Sequence, residues 1–283
     1  MLDDVFSFFG REVGTVDERA WARYMRHRAR AHADASANFV VVSPSTPAQY
    51  FHALRRQALA PHRKPMVVLA PKYLLHHRPC ASPLGDFGPK TRFRAVVADG
   101  DRGDNLRKIL PAVRTEDKTN GHVTTDRDPS RDREDRDSFQ DTRRVIMCTG
   151  KVFYSLHRAR KARGLERKVA LVRLEQLFPF PHEALARRLA RYPSSAELVW
   201  AQEEPKNMGF WAFTQPRVAT AARELVARHS GSVGFGDDGP SDAKPERRIR
   251  YVGRPASASP ASGSPTIHAR ENKALVDEAL GGL

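Results

Sequence analysis

Residues 200–211 read WAQEEPKNMGFW and set two carboxylates, Glu203 and Glu204, just after the apolar run Leu198, Val199, Trp200. Paired carboxylates can serve as general acid and base when their surroundings push their proton affinities apart. Neighbours on a strand point to opposite faces, so this spacing argues first for a solvated turn and second for such a pair. Thr149-Gly150-Lys151 is another candidate, because a lysine beside a helix N-terminus can hold an anion. The upstream glycine of a nucleotide phosphate loop is absent there, and Val152 stands where the metal-binding hydroxyl belongs. His52, His62, His76, His77, His182 and His268 fall on different elements, with no G-x-S-x-G elbow to complete a triad. Cys80 and Cys148 are the only cysteines and have no neighbours at zinc-ligand spacing, which fits a reducing interior.

Elements must place these residues. Residues 38–42 (NFVVV) read as a buried strand, and Thr46 with Gln49 makes a capping-box pattern in which Pro47 takes the first helical position. Tyr50, Leu54 and Ala58 then repeat at helical spacing, with Arg55, Arg56 and Gln57 on other faces. A second strand at 66–70, ending in Pro71 and Lys72, completes a parallel strand-helix-strand unit. Residues 99–142, which include DRDPSRDREDRDSFQD, have too little apolar surface to offset ordering entropy and read as a polar linker. Alternation resumes with a strand at 144–148, a turn at 149–151 and a helix carrying Val152, Leu156 and Ala159. A strand at 169–174, a helix with Leu185, Leu189 and Tyr192, and the strand before Glu203 follow. A polar insertion at 229–247 precedes a strand at 249–252 and a last helix through Leu275 and Leu280. Such repetition predicts a right-handed, largely parallel sheet with helices on both faces, whose strand ends present loops such as EEPKN.

The 283 residues, 40% hydrophobic, suffice for one large or two ordinary cores. A net charge of +15 and pI near 10.3 would suit a nucleic-acid partner, but Lys and Arg are scattered and no zinc-finger or RNP-type pattern occurs. A nucleic-acid reading thus rests on charge alone, and a generally basic protein, of a compartment where that is common or with acidic protein partners, accounts for it better. No apolar run nears the roughly 18 residues of a membrane span. Residues 17–35 could form a basic helix with little apolar stripe, and acids at Asp3, Asp4, Glu12, Asp17 and Glu18 speak against a transit peptide, so no targeting signal is visible.

Six stretches in order, STPAQYFHALRRQ, RKPMVVLAPKYLL, RRVIMCTGKVFYSL, RLEQLFPFP, VWAQEEPKNMGFW and YVGRPASASPASG, resemble the thiamine-dependent decarboxylating component of 2-oxoglutarate dehydrogenase. The resemblance covers most of residues 40–283 outside the two polar insertions. The form Asn207-Met208-Gly209 and the stretch KTRFRAVVAD are most similar to plant and algal versions. The sister 2-oxoadipate enzyme shares QEEPKNMG-like and GK-FYSL-like segments and is the alternative. The resemblance implies an α/β chain: a partial pyrimidine-binding domain of transketolase type over 38–98, then a Rossmann-like transketolase C-terminal domain over 143–283. Residues 99–142 would join them, and 1–37 match nothing.

It further implies thiamine diphosphate and Mg2+ in the complete enzyme and a homodimer. Its partners would be the dihydrolipoyl acyltransferase and dihydrolipoyl dehydrogenase of a mitochondrial citric-acid-cycle complex. This sequence departs from that pattern. The G-D-G metal and diphosphate motif is missing, since GDDG at 236–239 lies in the polar insertion without the asparagine that should follow. The activating Glu and the substrate histidines belong to segments upstream of the match. The expectation is thus a fragment with no catalytic or cofactor-binding residue of its own, binding no thiamine diphosphate alone; the alternative is a truncated, non-catalytic assembly or regulatory subunit. By resemblance Glu203, Glu204, Lys206 and Asn207 fix loop and subunit contacts, and Arg254, Ser257 and Ser259 form a structural or interface loop. Arg56, Lys72 and Lys151 are candidates for interdomain or regulatory anion contacts.

Overall fold

Alternation along the apolar strands decides the layers. In a computed structural model describing residues 37–99, 139–229 and 248–283, Val145 and Met147 face one side of a sheet while Ile146 and Cys148 face the other, all fully buried. The chain order is β1 (Val40–Val42), α1 (Pro47–Leu59), β2 (Met66–Val68), 3-10 turns at Lys72–Leu75 and Leu84–Phe87, and β3 (Val96–Ala98). It continues with β4 (Arg144–Cys148), α2 (Val152–Ala162), β5 (Val169–Leu174), β6 (Gln176–Phe178) and α3 (His182–Leu189). It closes with β7 (Glu197–Pro205), α4 (Trp211–His229), β8 (Ile249–Arg254) and α5 (Pro265–Leu280).

One sheet runs β3-β5-β4-β7-β8, with β5, β4, β7 and β8 parallel and β3 antiparallel at the edge. Side chains of α2 and α5 (Val152, Phe153, Leu156, Leu275, Val276) fill one face against Ile146, Leu171 and Val199. Those of α3 and α4 (Leu185, Leu189, Val218, Ala222) fill the other against Met147, Val172 and Trp200. This is the expected α/β layering, parallel strands covered on both sides. A second sheet runs β2-β1-β6, with β1 parallel to β2 and antiparallel to β6.

The two sheets exchange strands. β3, from the segment read as a pyrimidine-domain remnant, is the edge of the larger sheet, and β6, from the later segment, joins the smaller one. Asp99, at the predicted start of the linker, is anchored: it pairs with Arg160 at 2.5 Å and accepts the Leu171 N–H at 2.6 Å, while Arg160 also donates to Val169 O. The remaining linker (100–138), residues 1–36 with the basic-helix expectation, and 230–247 with GDDG lie outside the described residues.

Three local expectations need correction. Thr46 caps α1 by accepting the Gln49 N–H, but Gln49 does not reciprocate; its amide donates to Arg94 O at 2.6 Å and accepts the Arg94 N–H at 3.2 Å, a tertiary pairing that outbids the local one. The stripe Tyr50, Leu54, Ala58 points outward, and α1 buries Ala48, Gln49, His52 and Ala53 instead. β7 does not end before the two glutamates: a bulge between Gln202 and Pro205 keeps it paired to β8, with Pro205 opposite Arg254.

Replacing Asp99 with Ala strands the buried Arg160 guanidinium and the Leu171 N–H. Urea unfolding of D99A is expected to show a loss of about 3 kcal/mol, and D99N, which retains an acceptor for Leu171, a smaller one.

Candidate functional site

In the larger sheet β4 lies between β5 and β7, and α2, on the way from β4 to β5, covers the face opposite to that covered by α3, on the way to β7. A crevice opens at the carboxyl ends of β4 and β7, the place where open α/β sheets collect ligands. Gly150, with φ of +64°, turns the chain out of β4 and delivers Lys151 to the start of α2. Glu203 comes from the end of β7, and the two side chains pair at 3.1 Å. Glu204, one residue on, faces solvent. The alternation thus separates the carboxylates, as their adjacency predicts.

Lys151 and Glu203 close one end of a cleft of about 880 Å3 between α2, α5 and the turn after Lys72–Leu75. Tyr73, His77, Tyr154, Arg158, Lys161 and His268 also line it. Burial pushes the Glu203 carboxyl above its ordinary value, with Lys151 pulling it part of the way back. Burial holds His77 and His157 below the ordinary imidazole range, seconded by Arg158 for His77 and Arg160 for His157. Both rings are therefore uncharged near neutrality. Neither cysteine is activated: burial pushes Cys148 up to about 12 and also raises Cys80.

Below the cleft lies a buried polar junction that sequence patterning did not single out. Glu175 is fully buried; its carboxylate accepts the Ser45 N–H at 2.7 Å and the Ser45 hydroxyl. Arg173, also buried, donates to Ser45 Oγ at 2.9 Å and lies 4.1 Å over the Phe153 ring. Tyr154 donates to Ser45 O at 2.6 Å. Burial raises the Glu175 carboxyl, opposed first by Arg173. Serine and tyrosine of ordinary loops and helices carry no periodic signal; the charged pair at i and i+2 across the end of a buried strand did.

A third cluster is organised by Gln202, which the sequence reading passed over. Its Oε1 accepts from Trp200 Nε1 (2.9 Å) and from the N–H groups of Phe210 (3.2 Å) and Trp211 (2.9 Å), so it satisfies donors at the start of α4. Its Nε2 donates to the carbonyls of Glu204, Pro205 and Met208. Gly209 must be glycine: its φ is +65°, and a Cβ would lie 2.9 Å from Gln202 Nε2. The loop so held meets the loop after β8. Asn207 exchanges two 3.0 Å hydrogen bonds with the Ser257 backbone, and Lys206 lies over the Tyr251 ring at 5.7 Å. Arg254 pairs with Glu271 at 3.0 Å and donates to Pro260 O; Ser259 donates to Ala261 O, and its N–H donates to Ser257 Oγ.

The candidates therefore fall into three places. Lys151 and Glu203 meet in the crevice; Glu204, Lys206, Asn207, Arg254, Ser257 and Ser259 share the neighbouring loop pair. Arg56 and Lys72 join neither. Arg56 is engaged within the fold, donating to Gln176 Oε1 at 2.7 Å and covering the Phe93 ring, whereas Lys72 is exposed at the start of its 3-10 turn.

With this geometry in view, the similarities to known proteins can be placed. The family described as 2-oxoglutarate dehydrogenase C-terminal matches residues 115–280. The 2-oxoglutarate dehydrogenase E1 component of Brucella abortus is 36% identical over 252 residues, which is 87% of this chain and 20% of that protein. Those of Brucella anthropi and Brucella ovis are 35% identical over the same lengths. The chain thus spans about a fifth of the length of these relatives. A solved structure described as a split gene transketolase, inactive beta4 tetramer, overlays with a TM-score of 0.41 at 15% identity, covering 86% of this chain and 58% of that one. A likeness of that size carries no argument.

Gln202→Ala is expected to lower stability by about 2–4 kcal/mol in urea unfolding, through the stranded donors and carbonyls, with faster amide exchange confined to the loop from Glu203 to Trp211. A second expectation concerns pH. With its folded carboxyl raised above 4.5, Glu203 contributes stability that is fully present below that value and lost as pH rises through the folded one. In Tm measurements stepped upward from pH 4, E203Q should gain on the parent chain as pH rises; Glu175 keeps part of the slope in both.

Proposed function

Because the chain belongs to the family of 2-oxoglutarate dehydrogenase C-terminal regions, we propose that it supplies the C-terminal α/β part of a decarboxylating E1 component, a part that fixes loops and contacts and is inactive alone. The match of residues 115–280, more than half of the chain, carries this reading. On it, the complete enzyme decarboxylates 2-oxoglutarate and passes the acyl group to a lipoyl-bearing acyltransferase, with dihydrolipoyl dehydrogenase completing the complex. Its transketolase-type domain assignment, homodimeric state and mitochondrial setting rest on resemblance.

Thiamine diphosphate with Mg2+ would supply the electron sink for decarboxylation in the complete enzyme. Among the described residues no three His, Cys, Asp or Glu side chains are grouped to hold a metal ion. The crevice lysine is also already paired with Glu203. What this chain's residues do is positional. Gln202 fixes the path of the Glu203–Gly209 loop, Asn207 locks it to the Ser257 loop, and Glu204 and Lys206 stand outward where a partner surface would read them.

Titration of the purified chain with thiamine diphosphate and Mg2+ in a calorimeter should give no binding heat, and saturable binding in the micromolar range would overturn the reading. Retention of an acyltransferase component by the chain would support the assembly role.

A further inference from the structure

One wall of the cleft beside Lys151 and Glu203 is α2 itself. Lys151, Tyr154, Arg158 and Lys161 follow at helical spacing on the face that lines it, and at about 1.5 Å of rise per residue that wall is about 15 Å long. The Lys151–Glu203 pair closes the start of the wall, and Arg158 and Lys161 stand toward its other end. Both are exposed, as is Arg78 from the turn after Lys72–Leu75, and none of the three has a carboxylate partner among the described residues. Arg160 and Arg163, at the same end of the helix but outside the cleft, are paired with Asp99 and Asp277. Beside the cations stands an aromatic wall. The Tyr73 and Tyr154 rings each lie 4.9 Å from that of His77, and Tyr73 is 56% exposed. On the α5 side Asn272 Oδ1 is buried and accepts no hydrogen bond among the described residues, so the cleft also holds an acceptor that calls for a donor.

We propose that this cleft binds an extended acidic peptide segment of a partner protein, with carboxylates on Arg78, Arg158 and Lys161 and an aromatic side chain against Tyr73 and His77. Charge complementarity selects the occupant: a chain of net charge +15 presents three unpaired cations around one cleft. Length agrees, since a wall of about 15 Å matches about five residues of extended chain. An inorganic anion would fill the Arg158 and Lys161 end and leave the aromatic wall bare. A peptide covers both, and its backbone brings N–H donors for Asn272 Oδ1, which a phosphodiester backbone lacks. Lys151, held by Glu203 at 3.1 Å, closes the cleft and is not needed to read charge. A second copy is the poorer occupant, because like copies of this charge repel. Every wall belongs to this chain, so occupancy is measured without any upstream part of an E1 component.

The test follows the fluorescence anisotropy of a labelled peptide of Asp and Glu around one central Phe, added to the 283-residue chain at about 0.15 M salt. Saturable binding is expected, weakened at least about tenfold in Arg158→Glu/Lys161→Glu. Lys90→Glu/Arg92→Glu makes the same change of net charge at exposed residues outside the cleft. It should shift binding less than about twofold, which separates the site from the field of the whole molecule. Tyr73→Ala reads the site with no change of charge: it should cost the Phe peptide about fivefold and leave a peptide with Ala at its centre unaffected. Equal losses in the two charge-reversal variants overturn the proposal, and so does the absence of saturable binding or of any Tyr73 effect. Stronger competition by inorganic phosphate, a nucleoside monophosphate or a single-stranded oligonucleotide than by the unlabelled peptide overturns it in favour of those anions. Self-association in sedimentation that is lost in Arg158→Glu/Lys161→Glu would overturn it in favour of a second copy.

Discussion

A carboxylate and a guanidinium sit buried where one sheet hands the chain to the other, and the rest of the structure is arranged to make that tolerable. Arg173 is the next-to-last residue of β5 and Glu175 stands between β5 and β6, both out of water. Removing two charges from solvent is expensive unless every lone pair and proton finds a partner. Ser45 supplies both its N–H and its hydroxyl to Glu175, and Phe153 offers its ring to Arg173. The Glu175 carbonyl accepts from the Ser43 N–H, and its own N–H donates to Ala95 O. Two separate segments, at 43–45 and at Ala95, thus converge on one residue, which fixes how the β1 region meets the larger sheet.

From that junction the crevice follows. With β5 anchored, β4 and β7 lie side by side and their carboxyl ends open between α2 and α5, so Lys151 and Glu203 meet without being near in sequence. At the exit of β7 Gln202 acts differently from Ser45, whose hydroxyl joins two charged side chains: the Gln202 side chain satisfies several backbone groups that a turn leaves unpaired. Both devices hold loops still.

Much of this was legible in the residues. Strands such as RVIMC and VALVRL, buried on both faces, announce themselves by continuous apolarity, and the strand-helix alternation dictates parallel layers. The outward turn of Tyr50 and Leu54 was not, because a helical stripe says that a face wants cover and not which neighbour supplies it. Gln49 misled for a related reason: the capping pattern is local, while its competitor, the Arg94 backbone, is 45 residues away. Gln202 gave no signal, since a neutral amide has no spacing rule, and its value appears once three carbonyls and two N–H groups are brought around it. Lys151 with Glu203 lay between these extremes, each visible as a loop residue and their pairing a product of strand order.

The open edges of the two sheets are not alike. β8, the outer strand of the larger sheet, bears Arg250 and Arg254, and charged residues along an edge discourage pairing with another strand. β2, the outer strand of the smaller sheet, is Met-Val-Val and has no such guard. An unguarded edge of this kind is where a further strand can add, and a single lysine in β2 would discourage such pairing.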